Sequence, residues 1–384
     1  MTASINEATP TIVWENLLFF VVTALVAVIG IPLYLFHFVL PAFYIWFTVF
    51  YLLACSLSIS AGYHRLFSHV TYKAHPAIQF LFLFFGAAAF EQSALRWGSQ
   101  HRDHHNYVAT DQDPYSIAKG FFHAHIGWLI FWKRSINYSN APDLMANPLV
   151  VHQAEHYFLW STGAGIAVPL LIGFLYDGNL LAAFIFPVCL RIVLIHHATF
   201  CVNSVCHMFG KEPYDLTSTA KDNWAVALIT NGEGFHNYHH RFPSDYRNGI
   251  HWYQWDSAKW LIMALSRLGL AEDLKKMSKF GILLAQLKTN QEQLRSLLVR
   301  EKKTARLEEY YSDSEKSYKI LKLRLLTWEQ RSKEYGNLLH NVTTVLSKMI
   351  RRGAKQKVNA AKLRYRHADK QRKRYTRSKK NNPE

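Results

Sequence analysis

The chain has 384 residues, half of them apolar and 15% aromatic, which is enough for a sizeable core in one large or two ordinary domains. Its net charge of +17 comes from the C-terminal part: residues 1–280 hold 17 Lys+Arg and 17 Asp+Glu, whereas residues 281–384 hold 27 and 10. The four cysteines include no CxxC pair, which argues against a disulfide scaffold or a zinc-thiolate site and favours reduced packing residues. Only two of the 20 histidines lie beyond residue 280, so we expect the chemistry in the first 280 residues.

From Asn16 to Tyr63 the chain has no Asp, Glu, Lys or Arg, which is long enough for two membrane-spanning helices of about 20 residues each. A turn near Pro41 predicts spans at 15–38 and 42–62. A second hairpin is predicted from 157 to about 200, with its turn at the dipeptide Asp177-Gly178. No basic residue precedes the first span, which is unlike a secretory signal peptide.

The apolar stretch from 76 to 90 is too short to cross a bilayer, so we predict an interfacial or re-entrant helix there. Four spans in two hairpins place both termini on one face of the membrane. Because the two opposite turns have no Lys or Arg, all 17 basic residues of the first 280 are expected on the face of the termini, which is then cytoplasmic. The predicted fold is an all-α integral membrane protein with four transmembrane helices and a cytosolic helical cap.

The C-terminal part differs in composition from the rest of the chain. Residues 281–350 are rich in Leu, Lys, Glu and Arg and predict a helical hairpin or a short coiled coil. Residues 351–384 are strongly basic and poor in apolar residues, which predicts a disordered tail. We therefore divide the chain into a membrane domain at 1–280, a helical extension at 281–350 and a basic tail at 351–384.

Three histidine clusters follow the predicted spans, all on the cytoplasmic face. His64 and His69 are five residues apart, about 140° on an ideal α-helix, so a straight helix would not direct both at one ion; they would line a cleft or serve two ions. The other two clusters are His101-Arg-Asp-His104-His105 and His236-Asn-Tyr-His239-His240. Histidines at i, i+3 and i+4 share one helical face, which suits several nitrogen ligands converging on metal.

Further candidate ligands lie at the end of the fourth span. Asn203 and His207 are four residues apart and share a helix face, while His196 and His197 are weaker candidates one or two turns earlier. Imidazole without a thiolate partner suits zinc, copper, iron or nickel, so the ligand type leaves the metal open. Five acidic residues beside the clusters are candidates either to orient the imidazoles or simply to cap short helices: Asp103, Asp111, Asp113, Glu233 and Asp245.

These motifs make the chain resemble the membrane-bound fatty acyl desaturases of the stearoyl-CoA Δ9-desaturase type. The resemblance covers about residues 12–280 and includes Ala61-Gly-Tyr-His-Arg-Leu-Phe-Ser-His69, the HxxHH clusters, Asn203-Ser-Val-Cys-His207 and Gly232-Glu-Gly-Phe-His236. It implies a cytosolic cap with a dinuclear iron site that uses O2 to introduce a cis double bond into a saturated acyl chain. The implied iron ligands are His64, His69, His101, His104, His105, His207, His236, His239 and His240, with Asn203 holding a water.

The resemblance also assigns positions to the substrate. Trp97, Thr199 and Phe200 would lie at the bend of an acyl tunnel, and Gln92 and Lys119 near the acyl headgroup, although such aromatic residues also occur in ordinary cores. One departure concerns the carrier: Ser99-Gln100 and Glu91-Gln92 stand where animal acyl-CoA enzymes carry Arg-Asp and Gln-Asn. A lost Arg and a gained carboxylate weaken phosphate recognition, which leaves CoA, acyl carrier protein or a phospholipid as possible carriers.

The electron donor must be a separate protein, because the chain has no His-Pro-Gly-Gly of a fused cytochrome b5, no GxGxxG after a strand and no iron–sulfur cysteine pattern. We expect a ferredoxin-like or cytochrome b5-like donor with its reductase. The basic tail suits either solvent or anionic membrane lipids, and its membrane tether excludes nucleic acid as a partner. Alternative functions are a di-iron hydroxylase on the same scaffold, a metal transporter, which would need more ionisable residues in its spans, and a lipid-binding protein.

Overall fold

The computed structural model describes residues 8–134 and 137–300, and then 312–313, 315–316, 318–334 and 337. It divides into two compact units, residues 1–308 and 309–384. The tail predicted at 351–384 lies outside the described residues. Within the predicted extension at 281–350, the structure describes most of a helix at Lys279–Arg300 and a helical stretch at 318–334.

Four helices are long and apolar enough to cross a membrane, with mean hydropathies of 1.8 to 2.6, which confirms the predicted integral membrane fold. Spans 1 to 4 are Trp14–His37, Ala42–Ser68, Tyr157–Asp177 and Leu180–Met208. Spans 2 and 4 run six and eight residues past their predicted ends at 62 and 200. Their last turns are less apolar than the rest because they carry His64 and His207 into the interior of the protein.

The turn between spans 3 and 4 lies where the Asp177-Gly178 dipeptide predicted it. Gly178 has a φ of +76°, a left-handed conformation that glycine adopts without steric cost. Tyr44 in span 2 donates a hydrogen bond of 2.5 Å to Asp177 Oδ1, and Asn179 Nδ2 donates one of 2.8 Å to the hydroxyl of Tyr34 in span 1. The turn therefore ties the two hairpins together at the end of the bundle opposite the histidines.

Arg191 contradicts the prediction that every basic residue of the first 280 lies on the face of the termini. It lies within span 4 and is fully buried. Its guanidinium donates to the backbone carbonyls of Pro187 at 2.7 Å and Gly165 at 2.8 Å, and also to that of Ala88. The prediction considered only the charges in the turns and therefore missed Arg191. Inside a helix bundle, backbone carbonyls such as these stabilise a cation.

Shorter helices form the cap on spans 2 and 4. The predicted helix at 76–90 is present as Pro76–Ala88. The others are Ala94–Tyr107, Pro142–Met145, Pro148–Glu155, Trp224–Ile229, His236–Arg241, Ser257–Arg267 and Lys279–Arg300, with single turns at Ile117–Lys119, His123–Gly127, Trp128–Ile130 and Tyr138–Asn140. Two short antiparallel ribbons pair Ala8–Pro10 with Trp132–Arg134 and Lys73–Ala74 with Ala271–Glu272.

Two clusters of buried apolar side chains pack against the elements that carry the histidines. A large one joins Tyr51 and Phe67 of span 2 to Phe82 and Leu83 of the helix Pro76–Ala88 and to Ile262. A smaller one joins Tyr238, next to the third histidine cluster, to Tyr214, Phe242, Ile282 and Ala285. The first turns of the helix Lys279–Arg300, which the sequence assigned to the extension, therefore pack directly against the third histidine cluster.

Candidate metal centre

The end of span 2 brings His64 and His69 together. Residues Ser58–Ser68 form a π-helix, in which each hydrogen bond spans five residues rather than four. The backbone N–H of His69 accordingly donates to the carbonyl of His64 at 3.1 Å, and the two ring centroids lie 4.9 Å apart. The predicted separation of about 140° was wrong for this pair, because it assumed α-helical winding.

The nine predicted histidines form two groups, within each of which the ligand nitrogens lie within 4.8 Å of one another. The five-histidine group consists of His64, His69, His101, His105 and His239, and the four-histidine group of His104, His207, His236 and His240. Each HxxHH cluster sends its first and last histidine, four residues apart on one helix face, to one group and its middle histidine to the other. The rings of His105 and His240 stack at 4.2 Å where the groups meet.

The spacing of the imidazole nitrogens fits metal ions. In the five-histidine group, Nε2 of His239 lies 2.9 Å from Nε2 of both His64 and His105. In the four-histidine group, Nε2 of His236 lies 3.1 Å from that of His207 and 3.0 Å from that of His240. Ligands about 2.1 Å from one ion, at right angles to one another, have their nitrogens about 3 Å apart. Nine converging nitrogens without a carboxylate among them are a donor set for a transition metal.

Five of the nine histidines are held in the neutral form that binds metal. Outside the spans, burial lowers the pKa of His101, His105, His236, His239 and His240 well below the ordinary value, and neighbouring imidazoles lower it further. The rings are therefore neutral, with lone pairs available for a cation.

Two of the five candidate carboxylates orient imidazoles. Glu233 Oε2 lies 2.7 Å from His64 Nδ1, and Asp113 Oδ1 lies 2.9 Å from His104 Nδ1. Although burial opposes ionisation, His64 and Arg65 hold the pKa of Glu233 at about 2. Such acceptors fix the tautomer that leaves Nε2 free for metal.

The other three carboxylates have different roles. Asp103 accepts a hydrogen bond from Asn140, Asp245 binds Tyr238 and Arg247, and Asp111 is almost fully exposed.

Two hydroxyls that the sequence did not indicate also contact the centre. Thr219 Oγ1 lies 2.8 Å from His207 Nδ1, and the hydroxyl of Tyr115 lies 3.3 Å from His101 Nδ1. Both residues lie in irregular segments, where no periodic pattern of residues indicates which side chains face the centre. The one sequence feature that could have indicated Tyr115 is its position two residues after Asp113, in Asp113-Pro114-Tyr115.

A cavity reaches both groups from inside the bundle. Its walls include His64 and His101 of one group, His104 and His236 of the other, and apolar side chains such as Phe19, Phe20 and Ile59. Asn203, Trp97, Thr199 and Phe200 also line it. His196 lines it too and binds the carbonyl of Ala89, whereas His197 binds His125. The predicted tunnel residues thus share one cavity with the metal centre.

A second pocket shares the wall residues Asn16, Gln92, Gln100, Trp128 and Leu129 with the cavity. Lys119 lines this pocket together with Arg96 and Lys133. Glu91 lines the cavity and not this pocket. Its carboxylate therefore does not weaken phosphate recognition in the pocket, contrary to the expectation from the sequence. Arg96, which the sequence analysis did not single out, adds a cation to the pocket.

These features define a helical membrane protein in which two groups of histidines suited to metal binding line a largely apolar cavity. Residues 41–272 match the sequence profile of the fatty acid desaturase family, and the chain belongs to that family.

Relatives with 35–43% identity include two yeast proteins and one from cattle. A probable acyl-CoA desaturase of Schizosaccharomyces pombe is 43% identical over 230 residues, 59% of this chain and 48% of that protein. Acyl-CoA desaturase 1 of Saccharomyces cerevisiae is 41% identical over 239 residues, 62% of this chain and 47% of that protein. Stearoyl-CoA desaturase of Bos taurus is 35% identical over 294 residues, 74% of this chain and 80% of that protein. The chain thus spans about half the length of the two yeast proteins.

Proposed function

We propose that the protein is an O2-dependent desaturase that introduces a cis double bond, at the Δ9 position, into a saturated fatty acyl chain. The observation that carries this proposal is the cavity, in which imidazoles of both metal-binding groups face a space walled by apolar side chains. An alkyl chain in that space passes directly beside the metal centre. The names of the relatives support acyl desaturation as the reaction.

Two iron ions are the metals that we propose for the two groups, with all nine histidines as ligands and Asn203 holding a water. Bound iron would supply the activation of O2 and the removal of hydrogen from an unactivated methylene. The balanced reaction converts –CH2–CH2–, O2, two electrons and two protons into –CH=CH– and two waters. Since the metal supplies the reactivity, the polypeptide has to supply position.

The polypeptide positions the chain through the shape of the cavity. Methylenes along an alkyl chain are chemically alike, so only a shaped wall selects one pair. Trp97 stacks on the ring of His101 at 4.8 Å and presents its indole to the cavity beside the metal centre. We propose that Trp97, Thr199 and Phe200 form the bend that enforces the cis geometry.

The second pocket is suited to the headgroup of an acyl-CoA. Arg96, Lys119 and Lys133 line it, and within the described residues neither Arg96 Nε nor Gln92 Oε1, both buried, has a hydrogen-bond partner. Cations and unpaired polar groups match phosphate and the amides of a pantetheine arm. Arg96 and Lys133 offset the loss of an Arg at position 99, and they favour CoA over the other two carriers.

Electrons must reach the centre from the solvent side. His69, His105 and His240 are only partly buried, and Arg241 beside them is exposed. The exposed guanidinium of Arg241 suits a small acidic carrier, of the cytochrome b5 or ferredoxin type. We further propose that the cap and both termini face the cytoplasm, where such carriers and acyl-CoA are available.

Gas chromatography with mass spectrometry of fatty acids tests the proposed reaction. Cells expressing the chain with a reductase and a matching carrier are expected to accumulate cis-monounsaturated acids that are absent from cells expressing His104→Ala. Derivatisation of the double bond gives its position in the same experiment. Hydroxylated acids would instead identify a hydroxylase, and an unchanged profile with every carrier supplied would refute the proposal.

A further inference from the structure

The loop that carries Glu91 has an unusual backbone. Phe90 and Gln92, the residues on either side of Glu91, have φ angles of +58° and +77°. Residues other than glycine seldom adopt this left-handed conformation, and two of them flanking one residue store strain that the surroundings must offset. Backbone strain of this kind is concentrated at functional sites.

Neighbouring elements form hydrogen bonds with the backbone of this loop at four residues. Arg191 donates to the carbonyl of Ala88, and the His196 ring donates to that of Ala89 at 2.8 Å. On the other side of Glu91, the N–H of Gln92 donates to the Tyr157 hydroxyl at 3.0 Å, and the N–H of Ala94 donates to Gln153 at 2.9 Å. The effect of these contacts is to direct the Glu91 side chain into the cavity.

The carboxyl of Glu91 joins two walls of the cavity. Thr199 Oγ1 of span 4 donates to Glu91 Oε1 at 2.8 Å, and Trp97 Nε1 donates to Glu91 Oε2 at 3.3 Å. Trp97 is the residue that stacks on His101. Both contacts hold the groups that we assign to the bend of the chain.

Apolar side chains such as Phe19, Phe20 and Ile59 line the cavity around this carboxyl. Among the described residues, neither Lys nor Arg forms an ion pair with Glu91. The titratable groups that interact with it or share its cavity are Tyr63 and Cys55 of span 2, Tyr157 of span 3, His196 of span 4 and, across the cavity, Glu233 and the histidines of the metal centre. Burial raises the pKa of Glu91 to about 7, against the opposing effect of the hydrogen bonds from Thr199 and Trp97. The group is therefore poised between its neutral and ionised forms near neutral pH.

We propose that Glu91 is a substrate-positioning residue that admits the alkyl chain as a neutral acid, so that binding of the chain is coupled to protonation of this carboxyl. As the acid, it keeps both contacts, because its O–H donates to the Thr199 hydroxyl and its other oxygen accepts from Trp97. As the carboxylate, it retains water in the cavity, which an alkyl chain has to displace. This inference rests on the proposed function, since it requires the cavity to hold an acyl chain.

The coupling has a definite sign. An alkyl chain that dries the cavity disfavours the charged form and raises the pKa of Glu91 further in the complex. Affinity is then constant below the pKa of Glu91 in the ligand-free protein and falls above it by up to tenfold per pH unit, the limit for uptake of one proton. Replacement of Glu91 by glutamine keeps the shape and one acceptor and removes the titration.

The test measures binding rather than turnover. The full-length, metal-loaded protein, without a reductant, is titrated with S-stearoyl-pantetheine between pH 5.5 and 8.5 by displacement of the radiolabelled compound. This probe has the thioester and the alkyl chain but no group that titrates in the range. We expect the affinity of the wild type to be highest at the low end of this range and to fall as the pH rises, whereas the affinity of Glu91→Gln stays near the low-pH value throughout.

The outcomes separate the proposed role of Glu91 from the proposed desaturase function. A wild-type affinity that does not change with pH, or a Glu91→Gln profile that matches the wild type, would overturn the role of Glu91 while leaving desaturation intact. Absence of binding at every pH would overturn the proposed function and this inference together. If Glu91→Gln does not fold, infrared difference spectra of the wild type decide, since ligand addition at pH 8 must increase the signal of a protonated carboxyl.

Discussion

We predict that Asp113 supports metal binding mainly by the four-histidine group, through its contact with His104. Its side chain is only 2% exposed, and Oδ1 accepts the Nδ1–H of His104 at 2.9 Å. The same carboxylate accepts the backbone N–H of Ala109 at 3.0 Å and of Tyr115 at 3.2 Å. These contacts fix His104 in the tautomer whose Nε2 faces the four-histidine group.

In Asp113→Asn, an amide NH2 replaces one of the two oxygens, so either Ala109 or His104 loses its acceptor. Loss of such an orienting partner lowers metal affinity about 10- to 100-fold, or roughly 1.4–2.7 kcal/mol. We expect the four-histidine group to lose its metal first. Elemental analysis after competition with a chelator should find two metals per wild-type chain and one per Asp113→Asn chain at the same chelator concentration.

The matched control is Asp111→Asn, because this neighbouring carboxylate is 99% exposed and lies 3.8 Å from Lys119 Nζ. It is expected to retain both metals. Retention of two metals by Asp113→Asn, or loss of both together, would show that Asp113 does not act through His104 alone.

Three further predictions concern the metal ligands and the C-terminal helix. His105→Ala and His240→Ala are each expected to abolish product formation in the fatty acid assay, because this stacked pair joins the two groups; near-normal turnover would remove that residue from the ligand set. Ile282→Ala should lower the free energy of unfolding by about 2–5 kcal/mol in detergent, since it removes a buried side chain from the cluster with Tyr238, whereas Leu283→Ala, at a 41% exposed position, should change it little. A chain that ends at residue 300 should retain product formation, and one that ends at residue 278 should lose it; equal activities would show that the helix Lys279–Arg300 does not support the third histidine cluster.

The C-terminal helix illustrates how composition misleads about packing. From residue 281 the chain becomes rich in Leu, Lys, Glu and Arg, which suggested a separate extension. Ile282 and Ala285, two residues of this helix that are buried against the cap, are unremarkable in sequence, and only their packing with Tyr214 and Tyr238 makes them part of the core. A local pattern contains no information about a partner that lies some 40 or more residues away along the chain.

The amino-acid sequence by itself determined the four spans, the turn at Gly178 and the six histidines of the two HxxHH clusters, because apolar runs and i, i+3, i+4 spacings are local properties of the chain. The resemblance to a known family completed that set with His64, His69 and His207. The tertiary structure decided how the histidines divide between two groups, since contacts such as that of His64 with His239 join residues 175 positions apart. It also decided the π-helical winding that brings His69 beside His64, and it turned Glu91 into the cavity. These features depend on packing between residues far apart in the chain and on backbone strain that this packing offsets. Neither produces a local pattern of residues from which it could be predicted.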